Sequence, residues 1–124
     1  MSSVRSTLAW AAGLLAGLTA LAAAAGAGAA FVTEIEDLPL MPGLTQPPDS
    51  GVVFDKAAGR IVETYAVGDL QAGEVRRFYD RTLPQLGWQT TDTSGVFSRE
   101  GEILRVEVID QGGSVTVLYL LVPD

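Results

Sequence analysis

Residues 71–88 read QAGEVRRFYDRTLPQLGW, and their apolar side chains recur with the period of an α-helix. At spacings of three and four, one stripe is formed by Val75, Phe78, Tyr79, Thr82, Leu83 and Leu86. Asp69 is a candidate N-cap, and Gly87 can take the left-handed cap that folds Trp88 back onto Leu83. Pro84 deletes one backbone hydrogen bond, which predicts a kink or a 3₁₀ finish. The pattern therefore predicts one amphipathic helix over about 71–86.

Segments with the two-residue period of β-strands flank this helix on both sides. They are predicted at 52–54, 60–67, 88–91, 96–99, 102–109 and 115–122. The last segment, VTVLYLLV, is apolar on both faces, which favours a central strand or one covered by the helix. The predicted fold is α+β: residues 52–124 form a small domain with a β-hairpin, one amphipathic helix and an antiparallel β-meander of three or four strands, ββαβββ(β).

The core of so small a domain must come from its large apolar side chains, because the chain has no cysteine for disulfides. The predicted core consists of the last strand together with Phe54, Tyr65, Phe78, Tyr79, Leu83, Leu86, Trp88 and Phe97. A single helix can cover only one face of the sheet. The other face, with Thr90, Glu107 and Thr116, is therefore predicted to be wetter.

Residues 34–51 are predicted to form a proline-rich linker, since they hold four of the six prolines. Each proline removes an amide donor and biases its predecessor towards extended backbone. The segment is not purely polar, however, so it is predicted to pack on its own domain or on a partner. Leu40, Met41 and Leu44 are the candidates for partner contacts in this segment.

Residues 1–33 are predicted to form a signal peptide or an N-terminal membrane anchor. Ser6 to Thr33 is a run of 28 residues without a charge, of which 12 are Ala and 5 are Leu. Arg5 precedes the run and acidic residues follow it, so the positive-inside rule places the domain on the outer side of the cytoplasmic membrane. Small residues at 23–29 offer cleavage sites, while the length of the run suits a spanning helix. Both interpretations stay open, and residues 6–33 contact the membrane if the leader is uncleaved.

The residue types exclude much of catalytic chemistry. The 124 residues carry a net charge of −7 and include no His and no Cys, which excludes Ser-His-Asp triads, Cys nucleophiles and His- or Cys-ligated metals. The acidic charge disfavours nucleic acid as a partner. No cofactor, metal ligand or catalytic residue is predicted. A cell-wall hydrolase would need two converging carboxylates, drawn from Glu63, Asp69, Glu74, Glu102 and Glu107.

Two further patterns bear on function. Arg76, Arg77 and Arg81 cluster on the exposed side of the predicted helix and are candidates for contact with an acidic partner, lipid headgroups or an anionic polymer. The Phe78-Tyr79 pair, the Leu86-Gly87-Trp88 helix end and the following meander resemble small uncharacterised bacterial envelope proteins. Met41-Pro42-Gly43-Leu44 and Gly59-Arg60 look similar to the same group. This resemblance covers about residues 38–124 and implies fold and compartment, without implying an activity.

These observations predict a non-enzymatic interaction module of the bacterial envelope, exported to the periplasm or anchored with its domain outside. Its expected partner is another envelope protein. The alternative is a carrier or sensor that holds an apolar ligand between helix and sheet. That function would require a cavity lined by Tyr65, Phe78, Tyr79 and Trp88. A carboxylate-dependent cell-wall hydrolase ranks third.

Overall fold

Six antiparallel strands form one sheet in the computed structural model, which describes residues 30–124. The elements are β1 Val52–Lys56, β2 Gly59–Gly68, α1 Ala72–Gln85, β3 Gln89–Thr90, β4 Val96–Arg99, β5 Glu102–Asp110 and β6 Val115–Pro123. Their order in the sheet is β1-β2-β6-β5-β4-β3, so β6 is a central strand between β2 and β5. The predicted α+β fold is confirmed. The predicted signal peptide or anchor lies, up to residue 29, outside the described residues. Its predicted last residues, 30–33, instead pack on the domain, where Val32 is buried and Phe31 pairs with Pro39.

The helix covers nearly the predicted range, but its N-cap differs from the predicted one. Its N-cap is Gln71, whose side chain makes no capping hydrogen bond, so the prediction of Asp69 as the cap is wrong. The Gln71 carbonyl instead accepts the amides of Glu74 and Val75 at 3.0 and 3.2 Å. Asp69 lies two residues too early to reach the free amides of the first turn.

The helix ends as predicted, in a left-handed glycine cap. Gly87 has φ +91°, a conformation that a side chain would strain. The Trp88 amide donates to the Leu83 carbonyl at 3.1 Å and the Gly87 amide to the Pro84 carbonyl at 3.2 Å, the pattern of a Schellman motif. The Leu86 amide donates to Leu83 at 3.0 Å, a three-residue bond typical of a 3₁₀ finish. Trp88 and Leu83 are both buried.

Two elements cover one face of the sheet. Helix α1 packs mainly on β5 and reaches β3. Beside it lies the segment 30–46, which we call the strap. Thr45 of the strap pairs with Val67 of β2, and the Gln46 side-chain amide donates to the Thr64 hydroxyl at 2.7 Å. The helix and the strap together shield this side of the sheet, which we call the covered face.

The core lies between the covered face and this layer. It takes in Tyr79, Leu83, Trp88, Phe97 and the inward residues of β6, as predicted from the sequence. Three predicted core residues are exposed instead, namely Phe54, Tyr65 and Leu86. Phe78 is only partly buried.

The reason for these corrections is the alternation of side chains along each strand. Phe54 and Tyr65 fall on the face that no element covers, and Leu86 lies past the end of the helix. Thr90 was predicted on the wetter face, but it lies opposite the buried Phe97 and therefore on the covered side.

Candidate functional site

The face of the sheet opposite the helix is the candidate functional site, and we call it the open face. Val62, Leu104 and Leu121 are buried on the covered face, and the residues between such positions point the other way. The open face consists of Val52, Phe54, Lys56, Ile61, Glu63, Tyr65, Val67, Gln89, Val96, Ser98, Ile103, Arg105, Glu107, Ile109, Thr116, Leu118, Leu120 and Val122.

The strand register arranges these side chains in rows across the sheet. Phe54 lies opposite Ile61, and Val122 lies opposite Ile103, which makes one end of the open face apolar. In the next row Leu120 has Glu63 on one side and Arg105 on the other.

Two more rows complete the open face. Leu118 lies between Tyr65 and Glu107. Thr116 lies between Val67 and Ile109. Apolar side chains thus form a continuous surface that contains Glu63, Arg105 and Glu107, with Lys56 at its β1 edge.

The exposure of these side chains is unusual for a sheet with no partner. Phe54 is 52% exposed, Ile109 37% and Tyr65 36%. Leu118 and Leu120 are half-buried, in the middle of the open face. Scattered apolar residues are ordinary on protein surfaces, but a contiguous apolar patch of this kind is characteristic of a binding surface.

Strand β1 extends the exposed apolar surface to the edge of the sheet. All five of its residues are exposed, including Val52 at 48% and Val53 at 47%. Val53 pairs with the buried Val62 and so lies on the covered side, beyond the reach of the shielding layer. An edge strand with apolar side chains on both faces is a template for association.

The candidate partner contacts in the proline-rich segment are placed against the domain itself. Leu44 is 7% exposed and belongs to the core, so we do not retain it as a partner contact. Its burial follows from the pairing of the next residue, Thr45, with β2. Leu40 and Met41 are partly buried and packed against the same core.

The three arginines are exposed on α1, as the helical pattern predicted. The Arg76 guanidinium donates to the Val108 carbonyl at 3.2 Å, so this side chain ties the helix to β5. Arg77 and Arg81 lie on the layer that shields the covered face, whereas the apolar surface lies on the other side of the sheet. The arginine cluster and the open face are therefore separate surfaces.

The structure does not bring together all four residues predicted to line a ligand cavity. Tyr65 is on the open face, whereas Tyr79 and Trp88 are buried on the covered side. A groove of about 210 Å³ runs beside the helix and is bordered by Arg76, Tyr79, Asp80, Ser94, Gly95, Phe97, Val106, Glu107 and Val108.

Two buried tyrosines form the polar centre of the interior. The Tyr79 hydroxyl donates to the Pro39 carbonyl at 2.8 Å and lies 2.7 Å from the Tyr119 hydroxyl. Burial raises the pKa of Tyr79, an effect that hydrogen bonds from Tyr119 and the Met41 amide partly offset. Burial, and then the neighbouring Tyr79, also raise the pKa of Tyr119. Both groups stay protonated at neutral pH and act as structural hydrogen-bond partners.

The candidate acidic residues are dispersed. Glu63 on β2 and Glu107 on β5 share the open face but are separated by β6, roughly 10 Å from strand to strand. Within residues 30–124, no three His, Cys, Asp or Glu side chains are grouped as a metal site would require. In the same part of the chain, no helix combines the length and apolar character needed to cross a bilayer.

Comparison of the chain with family models, with curated proteins and with solved structures gave no match. Inference about function therefore depends on the open face itself. The sequence pattern did not identify its residues as a site, although alternation along β2 and β5 signalled two different faces. The missing information was which of the two faces the helix and the strap cover.

Proposed function

We propose that this protein is a non-enzymatic interaction module of the bacterial envelope that binds a protein partner through the open face. The observation that carries the proposal is the apolar surface formed by Phe54, Tyr65, Ile109 and the central Leu118 and Leu120. Leaving such a surface in water costs free energy that burial against a partner recovers, at about 25 cal/mol per Å² of apolar area.

The shape and charge of the open face favour a protein over a small molecule. A sheet face is nearly flat, whereas small-molecule sites are concave and enclose most of their ligand. Glu63, Arg105 and Glu107 interrupt the apolar surface at fixed positions, and such charges select one partner over others. Acidic and basic groups that alternate at fixed positions would not strengthen binding to a lipid surface.

The envelope location is part of the same proposal and rests on the composition of residues 1–29, since residues 30–33 belong to the strap. Their uncharged run, with Arg5 before it and acidic residues after it, favours export or anchoring with the domain outside. Val32 and Leu38 of the strap are buried in the core, so the strap packs on the domain and is not a free spacer.

Site-directed photocrosslinking in intact cells tests the proposal. A photoreactive phenylalanine analogue replaces Tyr65, which is 36% exposed on the open face. The matched control places it at Leu86, which is 39% exposed but lies at the end of α1. We expect a discrete protein adduct from position 65 and little or none from position 86.

Equal labelling from both positions would mean that the open face is an ordinary surface, and the proposal would be abandoned. The proposal would also be abandoned if position 65 gave no adduct to any protein. If the adduct contains a protein other than this chain, expression of the natural chain alongside the labelled one should reduce the adduct, since both would compete for that partner.

A further inference from the structure

We infer that the partner of the open face is a second copy of this chain, packed face to face about a twofold axis that runs along β6. This inference rests on the proposed function, because it names the occupant of the same surface. Its basis is the register of the strands, which makes the open face complementary to itself.

The symmetry follows from the position of β6 between β2 and β5. A twofold axis parallel to β6, lying between two stacked sheets, exchanges left and right while keeping each row in place. It therefore sets β2 of each copy over β5 of the other, and β6 over β6. Stacked sheets pack about 10 Å apart with their strands nearly aligned, which suits this arrangement.

Charge complementarity is the first consequence. Glu63 and Arg105 flank Leu120 in the same row, one strand to either side. After the twofold rotation, Glu63 of each copy faces Arg105 of the other, which gives two symmetric ion pairs around a central Leu120 contact. In the next row, Glu107 faces Tyr65 of the other copy, and its carboxylate can accept a hydrogen bond from the Tyr65 hydroxyl.

Apolar complementarity is the second consequence. Ile61 of one copy meets Ile103 of the other, Val67 meets Ile109, and Leu118 and Val122 meet their own equivalents. These pairs remove the exposed apolar residues of both sheets from water. They also interleave large side chains from two inner faces, as the core of a β-sandwich does.

The outer strands distinguish a twofold axis along β6 from one perpendicular to β6. Val52 and Phe54 on β1, exposed by 48 and 52%, come to lie over β4 of the second copy, at Val96 and Ser98. An axis perpendicular to β6 would instead set β1 over β1. If that axis passed through the middle of β6, Phe54 would lie beyond the last residue of the facing strand and stay exposed. The axis along β6 is therefore the one that covers β1.

The size of the open face is sufficient for a stable contact. Five strands spaced by about 4.8 Å and about eight residues long at 3.4 Å each give a projected area of roughly 600 Å². Side-chain relief raises the accessible area above that figure. A typical stable interface buries about 800 Å² on each partner.

Charge reversal in the full chain, purified in mild detergent, tests the inference by sedimentation equilibrium. We expect a dimer for the natural sequence. Arg105→Glu places like charges opposite each other twice in the dimer and should raise the dissociation constant about tenfold or more. Glu63→Arg should do the same. Combining the two substitutions restores opposite charges and should return the dissociation constant to within about threefold of the natural value.

Two controls test whether the change in dissociation constant is specific to the open face. Glu74→Arg reverses a charge on the exposed side of α1 and should leave the dissociation constant unchanged. Association through residues 1–33 would not respond to any of these reversals. Thermal unfolding of each variant verifies that the domain still folds.

Cysteine crosslinking provides an independent measurement, because the natural chain has no cysteine. Leu120→Cys places one thiol near the axis on each copy. Stacked sheets are too far apart for a disulfide, which needs Cα atoms within about 7 Å, so a short bismaleimide is the reagent. We expect a covalent dimer from Leu120→Cys and none from Asp80→Cys on the helix.

The outcomes separate the two proposals. A monomeric chain whose position 65 still labels a protein of different mass would overturn the homodimer and leave the proposed function standing. A monomeric chain with no adduct at position 65 would overturn both. A dimer that ignores the reversal of Arg105, or one that the double reversal fails to restore, would overturn the pairing of Glu63 with Arg105 across the twofold axis.

Discussion

The Tyr119 hydroxyl lies 2.7 Å from the Tyr79 hydroxyl, and through this contact the central strand is joined to the helix. Tyr79 also donates to Pro39 at 2.8 Å and accepts from the Met41 amide at 3.4 Å. One phenol oxygen therefore connects β6, α1 and the strap in a buried site. A buried polar group that loses its hydrogen-bond partner costs free energy, so this cluster should hold the strap in place.

The first prediction compares the two hydroxyls. Tyr79→Phe leaves the Pro39 carbonyl, the Met41 amide and the Tyr119 hydroxyl without their partner, and should lower the free energy of unfolding by about 2–3 kcal/mol. Tyr119→Phe leaves the bonds to the strap intact and should cost about 1 kcal/mol. Urea unfolding of the full chain in mild detergent measures both. Equal losses would show that the strap is not held by Tyr79.

The second prediction concerns alkaline pH. Burial raises the pKa of both Tyr79 and Tyr119 above the ordinary value of about 10. Above that pH the unfolded chain releases protons that the folded chain keeps, so the free energy of unfolding falls as pH rises. The slope is about 1.4 kcal/mol per pH unit for each tyrosine. Below pH 10 these two groups should contribute no pH dependence.

Unfolding midpoints between about pH 8 and 11.5 measure this effect, since that range spans the ordinary tyrosine pKa. The double variant Tyr79→Phe with Tyr119→Phe should be less stable at the lower end of the range but lose less stability on going to higher pH. A double variant that declines as steeply as the natural chain would assign the alkaline loss to other groups.

The third prediction uses two valines that pair across β1 and β2. Val53 is 47% exposed, while its partner Val62 is fully buried. Val62→Lys forces a charge into the core and should prevent folding, because no partner is available there. Val53→Lys should change the free energy of unfolding by less than about 0.5 kcal/mol and reduce aggregation through the β1 edge. Light scattering during heating follows the aggregation, and a strongly destabilised Val53→Lys would contradict its placement.

The fourth prediction concerns Arg99, which has two roles at the end of the helix. Its guanidinium lies 4.4 Å from the centre of the Trp88 ring and donates to the Leu86 carbonyl at 3.0 Å. Arg99→Lys loses the planar stacking and should lower the free energy of unfolding by about 1 kcal/mol. The control Arg81→Lys, on the exposed side of the helix, should stay within about 0.5 kcal/mol. Urea unfolding distinguishes the two.

Local patterns predicted most elements of the domain. Strand β4 agrees with its predicted range, and β5 and β6 each extend one residue further, because alternation is set by contacts between neighbours in the chain. The Gly87 cap was predictable for a similar reason, since it depends on a few consecutive residues. The N-cap was not, because the helix begins at Ala72, and the favoured capping residue Asp69 lies two residues before the position that caps it.

The sequence by itself determined the α+β composition, the helix end at Gly87-Trp88 and the two faces of each strand, since all of these follow from periodicity over a few residues. Only the tertiary structure decided which face is buried. That outcome depends on where α1 crosses the sheet and on the strap, which meets Tyr79 from 40 residues away. Phe54 and Tyr65 look like core residues in the sequence, and they became the candidate binding surface because the covering layer lies on the other side.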